Sequence, residues 1–118
     1  MSIYQEIILE HYRNPKNFGK LPNASKSTTV LNPLCGDAIT MEATFKGDTI
    51  KDIKFSGKGC VISQALGSQL TEYAKNKSKK ELRKLDRAFM IELLGITLGL
   101  NRIRCALLPL EALHKLLL

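Results

Sequence analysis

The chain has 118 residues, of which 44% are hydrophobic, and a formal net charge of +7. That length suits one domain, 1–118, with a core that needs no disulfide staples. No apolar run approaches the roughly 18 residues of a membrane span, and "MSIYQEII" lacks the basic start and apolar stretch of a signal peptide, so a cytoplasmic protein is expected.

The first helix is signalled by Ser2 and Gln5, a capping-box pair, followed by Ile3, Ile7 and Ile8 at helical spacing. It must stop near Arg13, because Asn14 precedes Pro15. A polar, turn-rich connection, "NPKNFGKLPNASKS", leads to sheet. "STTVL" (27–31) is short and β-branched. Ile39, Met41, Ala43 and Phe45 alternate with polar residues, "KGD" (46–48) is a hairpin turn, and Ile53 and Phe55 carry the return strand to Gly57. The expected sheet is small and antiparallel.

After Cys60 the period changes to that of a helix, with Ile62, Leu66, Leu70 and Tyr73. Ser78 with Glu81 opens a short helix. Asp86 caps another, through Phe89, Met90 and Leu94, that Gly95 ends. The last helix contains Pro109, and proline belongs in a first turn, so the expected start is close to Cys105. Lys75 to Arg87 hold seven of the eighteen basic residues. The stretch reads as a solvated helix face. A docking surface for an acidic protein partner is the next reading, and nucleic acid the last, because the chain has no Trp and no interleaved aromatics.

The chemistry lies in three cysteines and one aspartate. Cys35 and Asp37 flank Gly36 just before the alternating strand, Cys60 follows "GKG" at a helix start, and Cys105 is expected at another. Exposed amides and the macrodipole at a helix start favour negative charge, and thiolate is both a nucleophile and a soft metal ligand. Flanking glycines permit the backbone angles and close approach of a metal loop. The other reading is strand-end turns with buried cysteines. The intervals of 25 and 45 residues match no zinc-finger spacing, so spacing alone decides neither.

Four blocks in order, "EHYRNPKNFG", "NPLCGD", "FSGKGCVIS" and "RIRCALLPLEAL", resemble the U-type iron–sulfur cluster assembly proteins, the family of IscU, SufU and the N-terminal domain of NifU. The resemblance runs from about Ile3 to the C-terminus. It implies an α+β fold, a three-stranded antiparallel sheet with helices packed on one side. It implies a site of Cys35, Asp37, Cys60 and Cys105 that holds a transient [2Fe–2S] cluster or zinc. It implies a cysteine desulfurase as sulfur donor and apo iron–sulfur proteins as recipients, with no nucleic acid and no membrane among the partners. The protein then acts as a scaffold or sulfur carrier rather than an enzyme in the usual sense. The alternative is a zinc-bound sulfur relay that passes sulfur on without building the cluster. A structural zinc domain and a basic nucleic-acid-binding module are the readings from other classes.

Within that set Asp37 is the harder, more exchangeable donor, suited to a site that must release its cargo, or else a residue that only caps its turn. Cys105 is the first choice for sulfur acceptor, on the expectation of a helix start beside Arg104, and Cys35 the second. The IscU branch has a histidine directly before the third cysteine and an "LPPVK" segment read by a chaperone. Here Arg104 and "LGLNRIR" stand there. The basic residue resembles the SufU branch, although the 45-residue interval leaves little room for that branch's extra stretch. His11 is expected to pack or hydrogen-bond, and His114 lies too far along the last helix to share the site.

Overall fold

The computed structural model describes residues 2–33 and 36–118, with Asn101 described only in its backbone. Helix α1 (Ile3–Arg13) opens with reciprocal bonds: the Gln5 N–H donates to Ser2 Oγ at 3.2 Å and the Ser2 N–H to Gln5 Oε1 at 2.9 Å. Two of the four orphan amides of the first turn are thereby satisfied. The helix closes on Asn14, as the following proline requires.

Three antiparallel strands follow in the order β1 (Lys26–Asn32), β2 (Asp37–Lys46) and β3 (Thr49–Lys58). Period-two alternation sends Ile39, Met41 and Ala43 of β2 and Ile53 and Phe55 of β3 into the core, all essentially fully buried. Register places Asn32 opposite Asp37 and Ala38 opposite Lys58. The β1–β2 loop and the end of β3 therefore share one pole of the sheet, and the β2–β3 turn at Gly47 lies at the other. Ten residues of β2 separate the poles by about 30 Å.

The helices are α2 (Val61–Ala74), α3 (Lys79–Arg83), α4 (Arg87–Leu94) and α5 (Leu100–Leu116). Helix α2 is buried nearly all round, packed between α1, α5 and β3. Its Gly67 permits direct seating on the sheet, since a Cβ there would lie 2.8 Å from Phe55 Cε2. Glu81 and Asp86 serve as caps: the Ser78 N–H donates to Glu81 Oε1 and the Phe89 N–H to Asp86 Oδ1.

The "EHYRNPKNFG" block closes the outer edge of β3. The Lys16 N–H donates to Ser68 Oγ at 2.7 Å, and His11 Nδ1 lies 2.7 Å from the same oxygen. Asn17 Nδ2 donates to Thr71 Oγ1, the Phe55 N–H to the Asn17 carbonyl, and the Gly19 N–H to the Phe55 carbonyl. Phe18 meets Phe55 edge-on at 5.3 Å between ring centroids. His11 is thus a hydrogen-bonding residue, as its place in the block suggests. Burial lowers its pKa, with help from Lys16, against smaller opposing effects of Glu10 and Glu72.

The sequence expectation fails at the start of the last helix. Helix α5 begins at Leu100 behind Gly99, five residues before Cys105, and carries Pro109 in its interior. Proline there has no N–H for the carbonyl four residues back, a loss of about 3 kcal/mol in an isolated helix. Here Leu108, Leu110, Ala112, Leu113 and Leu116 bury on the core, and that packing outweighs the local preference.

Candidate metal centre

At the pole shared by the β1–β2 loop and the end of β3, three side chains from three elements converge. The ligand atoms of Asp37, Cys60 and Cys105 all lie within 4.8 Å of one another. Cys35 lies outside the described residues, so the convergence of the four expected residues is shown for three.

Each element positions its donor for a local reason. Asp37 is the first residue of β2. It is delivered there by a turn in which the Gly36 N–H donates to the Asn32 carbonyl at 2.9 Å, with Gly36 at φ +71°, a left-handed angle that a side chain would strain. Cys60 is the N-cap of α2 and makes no side-chain capping bond, so its sulfur is not committed to its own helix. Just before it, Gly59 leaves room for the carboxylate. A Cβ there would fall 2.7 Å from Asp37 Cγ and 2.6 Å from Ser63 Oγ. Cys105 reaches the site from the second turn of α5, not from a helix start, so the macrodipole argument for its sulfur does not hold. It is only 5% exposed, whereas Cys60 is half-buried.

Asp37 is 2% exposed, and its Oδ2 has no hydrogen-bond partner among the described residues. A buried polar atom left without a partner costs about 1–3 kcal/mol. Lys58 and Arg104, the two cations nearest in sequence, are both exposed, and neither is ion-paired with Asp37. A soft cation among two sulfurs and this oxygen would supply the missing partner. In a tetrahedral zinc site neighbouring donors stand about 3.3–3.8 Å apart, so closure needs a contraction of about 1 Å.

Sequence reasoning missed Ser63 and Ser68. Ser63 is fully buried under the site and its hydroxyl donates to the Cys60 carbonyl at 3.2 Å. Ser68 holds His11 and the Lys16 amide together. The available signal was that residues 61–74 carry no continuous polar face, so small polar residues such as Ser63 and Ser68 were candidates for burial with a hydrogen-bond partner. His114 is, as expected, remote from the centre; its Nε2 lies 3.2 Å from the Leu82 carbonyl, and that amide-like contact ties α5 to α3.

A three-stranded meander covered by helices on one side, with thiols and a carboxylate gathered at its loop pole, defines a class of small metal- or sulfur-handling α+β proteins. The model of the NifU-like N terminal domain matches residues 3–117, and the chain belongs to that family. It is 37% identical over 113 residues to the iron–sulfur cluster assembly scaffold protein IscU 1 of Archaeoglobus fulgidus, covering 96% of this chain and 73% of that one. It is 34% identical over 131 residues to the zinc-dependent sulfurtransferase SufU of Bacillus subtilis, covering 97% and 88% respectively. Among solved structures it superposes with a TM-score of 0.86 on the iron–sulfur scaffold protein for the SUF system of Fervidobacterium islandicum, at 32% identity over 96% of this chain and 95% of that one.

Proposed function

We propose that this chain, acting as one domain over 1–118, is an iron–sulfur cluster assembly protein. It accepts sulfur from a cysteine desulfurase, assembles a [2Fe–2S] cluster on Cys35, Asp37, Cys60 and Cys105, and passes it to apo-proteins. The observation that supports this reading is the buried Asp37 carboxylate: one of its oxygens lies within 4.8 Å of two cysteine sulfurs, and its Oδ2 has no hydrogen-bond partner among the described residues. Iron, sulfide and the cluster are cargo here, so the cysteines carry product rather than turn over a free substrate. The cytoplasm is the compartment proposed for this activity; among the described residues no helix is long and apolar enough to cross a membrane.

A second reading is a zinc-bound sulfur relay. It is favoured by Arg104, the basic residue before the third cysteine, and by the likeness to the Bacillus protein. One experiment separates the two. Protein purified without oxygen is assayed for metal and visible absorbance, then incubated with a desulfurase, cysteine and ferrous iron, with and without an electron donor that reduces persulfide sulfur to sulfide. A scaffold gains stoichiometric iron, sulfide and cluster absorbance. A relay keeps its zinc and gains only persulfide. Cys35→Ser, Cys60→Ser and Cys105→Ser should each lower metal occupancy sharply, because an alcohol is not ionised near neutral pH. Stoichiometric metal in two of these three variants would refute the shared site.

A further inference from the structure

The pole opposite the metal centre has a composition that cluster chemistry does not use. Thirteen residues, Lys75 to Arg87, carry a net charge of +5 out of +7 for the whole chain. Their two acids, both exposed, are engaged as caps of α3 and α4: Glu81 Oε1 accepts from the Ser78 N–H and Asp86 Oδ1 from the Phe89 N–H. Lys77 is held over the Tyr73 ring and Lys79 over the Phe45 ring, at 4.8 and 4.6 Å, and Arg83 Nη2 donates to the Leu117 carbonyl. Lys80, Lys84 and Arg87 are exposed and in no ion pair among the described residues. The result is a partly ordered basic surface in which, among the described residues, only Lys75 is ion-paired, with Glu72 at 4.0 Å.

This surface borders an apolar groove. Leu107, Leu110 and Leu118 line an open cleft of about 400 Å³ along α5, with Arg87, His114 and the ion-paired Glu111 and Lys115 at its rim. The Arg83–Leu117 and His114–Leu82 contacts fix α3 beside the end of that groove. A second cleft, lined by Leu31, Pro33 and Arg104, shares Leu107 and Glu111 with the first, so the depression continues along α5 toward Cys105. From Arg104 the helix rises about 18 Å to its end at Leu116, and the chain continues to Leu118, so the track matches a partner helix of about 12–14 residues.

We propose that this groove and its basic rim form a docking track for an acidic, amphipathic helix of a partner protein. Apolar side chains of that helix at i, i+3, i+4 and i+7 fill the leucine-lined cleft, and its acidic residues meet Lys80, Lys84 and Arg87. Charge complementarity selects an acidic partner. The aliphatic floor selects a protein over a nucleic acid, because neither Phe, Tyr nor Trp lines the groove to stack a base. The track ends beside Arg104, so a partner bound there has one end at the metal pole while its anchor leaves the cysteines uncovered.

The test uses three fluorescent probes and the whole chain. The first is a Leu/Glu peptide of about 14 residues, patterned as an amphipathic helix. The second is its scrambled isomer of equal composition and charge, and the third a short DNA duplex. Anisotropy titrations should show the patterned peptide binding at least about tenfold more tightly than the scrambled one, a difference of about 1.4 kcal/mol. Lys84→Glu with Arg87→Glu should weaken that binding about tenfold or more, as should Leu118→Asp, at a residue 85% exposed and dispensable to the core. Melting curves confirm that both variants fold. Equal binding of the two peptides, affinity unchanged in both variants, or tighter binding of the DNA duplex would overturn the proposal.

Discussion

Asp37→Ala should reverse its effect on stability according to whether metal is present. In the metal-free protein the substitution removes a carboxylate that is 2% exposed and whose Oδ2 has no partner among the described residues. Relief of that desolvation is worth about 1–3 kcal/mol, part of which is returned as the small void left beneath Gly59. A net gain of about 1 kcal/mol would raise the melting temperature by roughly 4 °C in a domain of this size. With zinc at about 1,000 times its Kd, the wild-type chain gains about 4 kcal/mol. Loss of one donor that weakens zinc a hundredfold removes about 2.7 kcal/mol of that gain. The zinc-loaded variant should therefore melt below the zinc-loaded wild type, while the metal-free variant melts above its counterpart. Differential scanning fluorimetry of both proteins, after chelation and after titration with zinc, measures all four values. If metal-free Asp37→Ala melts lower than wild type and zinc raises both proteins equally, Asp37 serves only its turn and is not a ligand.

Burial of Cys105 predicts that desulfurase-derived sulfur arrives first on another thiol; rapid-quench mass spectrometry that finds the earliest persulfide on Cys105 would contradict this. The lowered pKa of His11 means that the unfolded chain takes up a proton more readily than the folded one. Its share of stability is full above about pH 6.5 and is lost as pH falls from there through the lower folded value. His11→Gln should flatten the dependence of melting temperature on pH between about 7.5 and 5, and an unchanged slope relative to wild type would show that His11 contributes nothing to it. Finally, α3 starts beside the β2–β3 turn, the end of the sheet about 30 Å from Asp37. Lys79→Glu with Lys80→Glu should leave desulfurase stimulation within about twofold, since screened surface charges act weakly at that range; a tenfold loss would place the desulfurase on the basic pole instead.

The sequence by itself determined the elements whose signals are local. Ser2 with Gln5, Ser78 with Glu81, Asp86 and Gly95 bound three helices through contacts within a few residues, and alternation from Ile39 to Ala43 set which face of β2 is buried. The resemblance carried by the four blocks also singled out Cys35, Asp37, Cys60 and Cys105, of which the last three lie together among the described residues. Tertiary structure alone decided where the last helix begins, because Pro109 reads as a first-turn residue until the leucines around it find the core. It alone removed Cys105 from a helix start and buried its sulfur. It alone showed that Asp37 Oδ2 lacks a partner among the described residues and that Gly59 and Ser63 shape the space around the carboxylate, since those facts depend on strands and helices that are far apart in the chain. A pattern of residues reports periodicity and capping over one or two turns; what a buried carboxylate faces is set by the packing of elements that no local pattern encodes.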